Sequence, residues 1–146
     1  LQPNNLDIRI NLGKVFSTEE DHPSAIKYYQ QALTIDTDSV TALTGLARSM
    51  QKNKQVEEAV DLLNKKLEVY DEEVALVLAD ILNDEDRSEE AIHWLEKVID
   101  ENKECEKAHG LIGYINLELG NKTKALEGMK AGLKIKTPGA SPGFPF

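Results

Sequence analysis

Hydrophobic residues recur along this chain at helical spacings, without the strict alternation that marks a half-buried strand. One unit begins with Ala25, continues with Ile26, and places a further apolar residue, Leu33, seven positions later. The same spacing occurs three more times, at Ala59, Val60 and Leu67, at Ala91, Ile92 and Ile99, and at Ala125, Leu126 and Leu133. The pattern predicts an all-α protein built from similar helical units.

Turn-forming residues divide this pattern into eight predicted helices. Pro23 suits a first helical position, where its missing N–H costs nothing, and Asp21 or His22 precedes it as a cap. Asn53 is the predicted cap of the fourth helix, and Gly120 is suited to end the seventh in a left-handed conformation. The predicted helices cover residues 6–17, 23–36, 39–52, 55–69, 72–83, 88–101, 104–119 and 122–136.

Residues 12–32 resemble a tetratricopeptide repeat. That family's unit of about 34 residues carries W-x2-L-G-x2-Y in its first helix and A-x3-F, followed by A, in its second. Six residues match this signature: Leu12, Gly13, Phe16, Ala25, Tyr29 and Ala32. The physical basis is close packing, because small residues let two helix backbones approach and large ones fill the space between them.

Three further copies follow in register. They contain Leu46, Ala47, Met50, Ala59 and Leu63, then Leu78, Ala79, Leu82, Ala91 and Leu95, then Ile112, Gly113, Asn116, Ala125 and Met129. The family's tryptophan site departs from the signature and holds Arg9, Leu43, Ala75 and His109. The resemblance implies an all-α, right-handed superhelical solenoid of four helix–turn–helix repeats and eight helices.

The repeat register predicts the domain organisation. Residues 1–5 are interpreted as the tail of a preceding repeat, which indicates that the natural protein continues N-terminally. A tetratricopeptide domain then covers 6–136, with repeats at 6–39, 40–71, 72–105 and 106–137. The third repeat begins two residues early, so the connector at 70–72 is expected to be tight. Residues 138–146 form a tail rich in Pro and Gly, which excludes another helix there.

Charge and composition narrow the class of partner. The formal net charge is −9, from 26 acidic and 17 basic residues, and this balance repels nucleic-acid phosphates. No apolar run is long enough to cross a membrane, so neither nucleic acid nor membrane is an expected partner. Cys105 is the only cysteine, which excludes an internal disulfide and favours a cytoplasmic or nuclear location.

The resemblance also implies a binding surface. In such repeats the first helices line a concave groove that holds a protein or peptide segment. The candidate partner-binding residues at the family's groove positions are Lys14, Arg48, Leu76, Asp80, Lys107, Tyr114 and Leu117. The mixed charges of this wall suit a peptide of mixed polarity. The alternative interpretation is that these side chains form an ordinary solvated helix face.

No residue pattern in the chain indicates catalysis, a metal or a cofactor. Its three histidines fall in different repeats, and no G-x-S-x-G motif is present. Cys105 and His109 lie one turn apart, but two ligands do not make a structural zinc site. We therefore expect a non-enzymatic interaction scaffold that is part of a larger protein.

Two other functions remain open from the sequence. One is a self-association module that uses the exposed flank of the last repeat, at Leu126, Met129 and Leu133, or the tail with Phe144 and Phe146. The other is an adaptor domain of an enzyme whose active site lies outside this fragment.

Overall fold

The computed structural model describes residues 5–134, and within them the chain forms eight α-helices and no strand. In chain order the helices are α1 Asn5–Thr18, α2 His22–Ile35, α3 Val40–Lys52, α4 Val56–Lys66, α5 Glu72–Asp84, α6 Ser88–Glu101, α7 Glu106–Glu118 and α8 Lys122–Leu133. The predicted all-α, helix–turn–helix fold class is confirmed. Residues 1–4 of the predicted N-terminal tail and the whole tail 138–146, with Phe144 and Phe146, lie outside the described residues.

Helix ends follow the sequence signals at most positions. Asp21 caps α2 through Oδ1, which accepts a hydrogen bond from the backbone N–H of Ser24 at 3.2 Å. The prediction for Asn53 is wrong: it is the C-cap residue of α3, and Gln55 precedes α4. The fourth helix also ends at Lys66, earlier than predicted. After it, the backbone N–H groups of Glu68 and Val69 donate to carbonyls three residues earlier, as in a 3₁₀ turn.

The turn between the two helices of each repeat has the same backbone conformation. Glu20, Lys54, Asp86 and Gly120 occupy one register position, and all have positive φ angles, of 60°, 63°, 60° and 80°. In the turn after α1, the N–H of Asp21 donates to the carbonyl of Phe16, which satisfies the helix end. The predicted left-handed end at Gly120 is confirmed, and the other three turns adopt it without glycine.

The chain divides into two compact units, Leu1–Asp86 and Arg87–Phe146. The described part of the first unit contains α1 to α5, and that of the second contains α6 to α8. The domain predicted over residues 6–136 thus spans both units. The third predicted repeat, 72–105, contributes α5 to the first unit and α6 to the second.

In the first unit each helix packs on the next, and the first helices of successive repeats also pack together, α1 on α3 and α3 on α5. Tyr29 of α2 is wedged between α1 and α3. A Cβ atom at Gly13 would lie 2.7 Å from the Tyr29 ring, and one at Gly45 would lie 2.6 Å from it. These two glycines therefore create the space for the aromatic ring, and burial raises the pKa of the Tyr29 hydroxyl.

In the second unit α7 packs on both α6 and α8. Leu95, Val98 and Ile115 are fully buried there. The contact between α7 and α8 is a close backbone approach, because a Cβ at Gly128 would lie 3.2 Å from the Cα of Gly113. Small residues at these two positions set the distance between the helices.

Candidate interaction surfaces

We call α1, α3, α5 and α7 the A helices, because each is the first helix of a predicted repeat. In the first unit, Lys14, Arg48 and Asp80 occupy the same register position on α1, α3 and α5. Arg48 Nη2 lies 2.7 Å from Asp80 Oδ2, and the two side chains are 41% and 39% exposed. The structure therefore brings two of the predicted contact residues together as a half-exposed ion pair.

One turn further along α3, Gln51 continues the polar contact between α3 and α5. Its Nε2 donates to Asp84 Oδ2 at 3.1 Å and to Glu85 Oε1 at 3.4 Å. Gln51 is buried, and its Oε1 accepts no hydrogen bond from the described residues. The contact between α3 and α5 is thus an ordered polar surface, in which the charges of Arg48 and Asp80 already have partners.

The other two predicted residues of the first unit differ in accessibility. Lys14 is exposed, and its ammonium group makes no ion pair within residues 5–134. Leu76 is only 9% exposed and belongs to the core of the unit. Its side chain offers little area to a partner, so we leave it out of the surface proposed below.

In the second unit, α7 presents Lys107, Tyr114 and Leu117 along one side. Tyr114 is 49% exposed and Leu117 is 51% exposed. The Tyr114 hydroxyl donates to Glu118 Oε1 at 2.9 Å. This hydrogen bond, together with the carboxylate charge and a small contribution from burial, raises the pKa of Tyr114. The hydrogen bond also holds the aromatic ring against its own helix.

Lys107 lies at the edge of a groove of about 610 Å³ between α7 and α8. Gly110, Met129, Gly132 and Leu133 also line it. Leu126, Met129 and Leu133 are all exposed in the described structure, which confirms the predicted apolar flank of the last repeat.

The described residues offer no cluster of three or more potential metal ligands. Cys105 is buried at the start of α7, and His109 Nε2 lies 2.9 Å from the carbonyl oxygen of Lys103. None of the helices between residues 5 and 134 has the length and apolar character needed to cross a bilayer.

Residues 6–136 match the family described as the Tetratricopeptide repeat protein 21 C-terminal ARM domain. The chain belongs to this family. The resemblance to tetratricopeptide repeats is thereby confirmed, and membership supports a general role in protein–protein interaction. No curated protein matches the sequence.

Solved structures show the same fold. MamA 41-end from Desulfovibrio magneticus RS-1 superposes with a TM-score of 0.71 at 17% identity, over 93% of this chain and 78% of that one. Two further MamA crystal structures give TM-scores of 0.67, at 23% and 24% identity, and cover 90% and 86% of this chain and 73% and 74% of theirs. At these identities the likeness establishes the helical-repeat fold alone.

The structure also shows a second groove, and none of the predicted contact residues is among its described lining residues. It is formed by α6, α7 and α8 and contains Asn116 and Gly128. A signal was present in the repeat register, because Asn116 stands where the earlier copies have Phe16, Met50 and Leu82. A polar residue at a core position of a repeat often marks a functional site.

Proposed function

We propose that this domain is a non-catalytic scaffold that binds a peptide segment or partner protein on the exposed face of its A helices. The observation that carries the proposal is the pair Tyr114 and Leu117 on α7. Both side chains are about half exposed and lie on one side of the helix, one turn apart. Large apolar side chains grouped on a surface are typical of interaction sites.

The chemistry of Tyr114 suits a binding contact. Tyrosine combines a large apolar ring with a polar tip and is among the residues that most often carry interface energy. Its hydrogen bond to Glu118 restrains the side chain before a partner arrives, which lowers the entropy lost on binding. Leu117 extends the apolar contact by one turn.

The first unit supports a more polar contact on its own A helices. Lys14 can receive a carboxylate from a partner without giving up an ion pair. Arg48 and Asp80 remain partly open to solvent, so a partner with both charges can bind beside them. Such groups contribute specificity and association rate more than affinity.

The test is a selection followed by titration. A random peptide library displayed on phage is panned against the domain, and the recovered peptide is titrated against variants. Tyr114→Ala is expected to weaken a peptide that binds on α7 by about ten- to a hundredfold, and Arg48→Glu is expected to weaken a peptide that binds on α3 and α5, because each change removes a contact within its own unit. Lys65→Ala on the exposed side of α4 is the matched control and should bind as wild type does.

Two results would contradict the proposal. One is that no peptide is enriched. The other is that the recovered peptide binds the Tyr114 and Arg48 variants normally but loses affinity when residues around Trp94 on α6 are changed.

The exposed flank of the last repeat favours a second candidate function, self-association. Met129 and Leu133 line the groove between α7 and α8, and Leu133 is largely exposed. If two copies associate there, light scattering should show a mass that rises with concentration, and Leu133→Lys should abolish the rise. A constant monomer mass for the wild-type chain would eliminate this candidate.

A further inference from the structure

The groove formed by α6, α7 and α8 is a second candidate site, and we call it the three-helix groove. Its volume is about 610 Å³. Helix α7 forms the floor, since it packs on both α6 and α8. Four large apolar side chains line the groove: Ile92, Ile99, Ile112 and Leu119. Leu119 is about half exposed, and the three isoleucines are partly exposed.

The lining residues have a regular spacing. On α6 they are Glu89, Ile92, Glu96 and Ile99, and on α7 and its C-cap residue they are His109, Ile112, Asn116 and Leu119. Both sets follow the spacing i, i+3, i+7 and i+10, which marks one side of a helix over about 15 Å. The groove is therefore long and straight enough to accept about three turns of another helix.

This side of α7 differs from the one that carries Tyr114 and Leu117. The A-helix residues Lys107, Gly110, Tyr114 and Leu117 and the groove residues His109, Ile112, Asn116 and Leu119 have the same spacing. Each groove residue follows its A-helix counterpart by two positions, which corresponds to about 200° around a helix. The three-helix groove is therefore independent of the surface proposed above.

Two departures from the repeat pattern line the groove. Gly128 occupies the register position of Tyr28, Leu62 and Trp94, so the fourth repeat lacks a large side chain there. Gly128 also packs directly on Gly113 of α7. No side chain from this position therefore projects into the groove.

The second departure is Asn116, a polar residue at an apolar position of the repeat. It is only 5% exposed. Its Nδ2 donates to the carbonyl of Ile112 at 2.9 Å, and its Oδ1 accepts from Asn121 at 3.3 Å. A buried amide needs such hydrogen-bond partners, whereas an apolar side chain at this position does not. Because both departures line the same groove, the fourth repeat differs from the others where a ligand would lie.

Charge defines the kind of ligand. Glu89 and Glu96 on α6 and Glu127 on α8 line the groove, against Lys124 as the one Lys or Arg among its described lining residues. These three carboxylates make no ion pair with any residue between 5 and 134. An apolar floor between unpaired carboxylates complements a segment that is apolar on one side and basic at its edges.

We propose that the three-helix groove binds a short amphipathic helix of a partner protein, with apolar residues at i, i+3 and i+7 flanked by Lys or Arg. The apolar side chains contact the isoleucines and Leu119, and the basic side chains pair with Glu96 and Glu127. This inference adds a second interaction surface to the domain and does not depend on the A-helix surface.

The probe is a synthetic helical peptide of about 16 residues, long enough to form several turns, with Leu at the stated spacing and Lys on both flanks. A Leu/Glu peptide of the same spacing and a scrambled Leu/Lys peptide are its controls. Binding is measured by fluorescence anisotropy at about 0.15 M salt, where long-range attraction is screened. The ordered Leu/Lys peptide is expected to bind at least about tenfold more tightly than either control.

Matched variants locate the site. Glu96→Lys/Glu127→Lys should weaken binding at least about tenfold, whereas Asp100→Lys/Glu101→Lys, with the same change in net charge outside the groove, should change it less than about threefold. Leu119→Ala should weaken binding about fivefold and Leu126→Ala should not, although both side chains are similarly exposed. The leucine variants decide the question if a charge-reversed chain fails to fold.

NMR gives an independent readout. The peptide should shift the backbone amide signal of Gly128 and the side-chain amide signal of Asn116, but not the signals of Tyr114. The proposal is overturned if the peptide does not bind, if both charge-reversed variants lose affinity equally, or if the shifts appear at Tyr114 and Leu117 instead.

Discussion

Two helix pairs of this protein have the same register but different surroundings. In the first unit, Tyr29 of α2 lies between Gly13 of α1 and Gly45 of α3, and is 4% exposed. In the second unit, Met129 of α8 occupies the same register position beside Gly113 of α7, and is 36% exposed. The difference is that α3 packs over the first pair, and no described helix covers Met129.

The comparison separates two contributions to the burial of this side chain: one from its own helix pair and one from a neighbouring repeat. A glycine on the first helix admits the large side chain of the second in both cases, so this contact belongs to the pair. Nearly complete burial requires the A helix of another repeat, as is general in repeat proteins, where each unit is stabilised by its neighbours. A substitution at this register position should therefore have very different effects in the two units.

The largest expected effect is that of removing the covered side chain. Tyr29→Ala should lower the free energy of unfolding by about 3 to 5 kcal/mol, because it leaves a cavity between three helices. Met129→Ala is the matched change and should cost about 1 kcal/mol, because the side chain is partly solvated already. Urea unfolding followed by circular dichroism measures both. Equal losses for the two variants would show that the covering helix contributes nothing to this position.

A smaller effect is expected from substituting Gly45, the residue of α3 that contacts the Tyr29 ring. A Cβ at Gly45 would lie 2.6 Å from the Tyr29 ring, so Gly45→Ala should cost about 1 to 3 kcal/mol through overpacking. A Cβ at Gly110 on α7 would meet no described neighbour within 4 Å, and Gly110→Ala should instead stabilise the helix by about 0.5 to 1 kcal/mol. If Gly45→Ala is also stabilising, the Tyr29 ring is free to move away and the packing is looser than described.

The turns give a third test of how the two regions differ. Gly120 adopts its positive φ without strain, whereas Lys54 adopts a similar angle with a side chain. Gly120→Ala should destabilise the second unit by about 1 kcal/mol, and Lys54→Gly should stabilise the first by up to about 1 kcal/mol. Thermal unfolding of the two variants checks the opposite signs. A loss of stability in Lys54→Gly would mean that the Lys54 side chain makes a contact worth more than the backbone strain.

The sequence predicted the helices well because their determinants are local. Apolar spacing, Pro23, Asp21 and Gly120 each act within one or two turns, and these signals placed all eight helices. The sequence also identified Gly13 and Tyr29 as packing residues of the first helix pair, since both match the repeat signature, but their direct contact was seen only in the structure. It did not indicate the left-handed turns at Glu20 and Lys54, because neither residue type favours that conformation.

The candidate surface was harder to predict because it depends on contacts between helices far apart in the chain. Leu76 was selected by register alone, and its burial is decided by the packing of α5 within the first unit. Arg48 and Asp80 were selected as separate contacts, and their direct pairing across α3 and α5 follows from the distance between those helices. The three-helix groove was missed because no single residue in it has an unusual type, only an unusual register position.

The smallest expected effect concerns this ion pair, which extends the comparison to the A helices. Arg48 on α3 pairs with the next A helix of its unit through Asp80, whereas Tyr114, at the same register position on α7, bonds within its own helix to Glu118. Because the Arg48 and Asp80 side chains are about 40% exposed, solvent screens the pair, and a coupling of only about 0.2 to 1 kcal/mol is expected. A double-mutant cycle with Arg48→Ala and Asp80→Ala, read by urea unfolding, measures it. The coupling should decrease in about 1 M salt, because the pair is accessible to ions. A coupling well above this range that persists in salt would contradict this expectation. The ion pair would then hold α3 and α5 together as strongly as the packing of Tyr29 holds α1, α2 and α3.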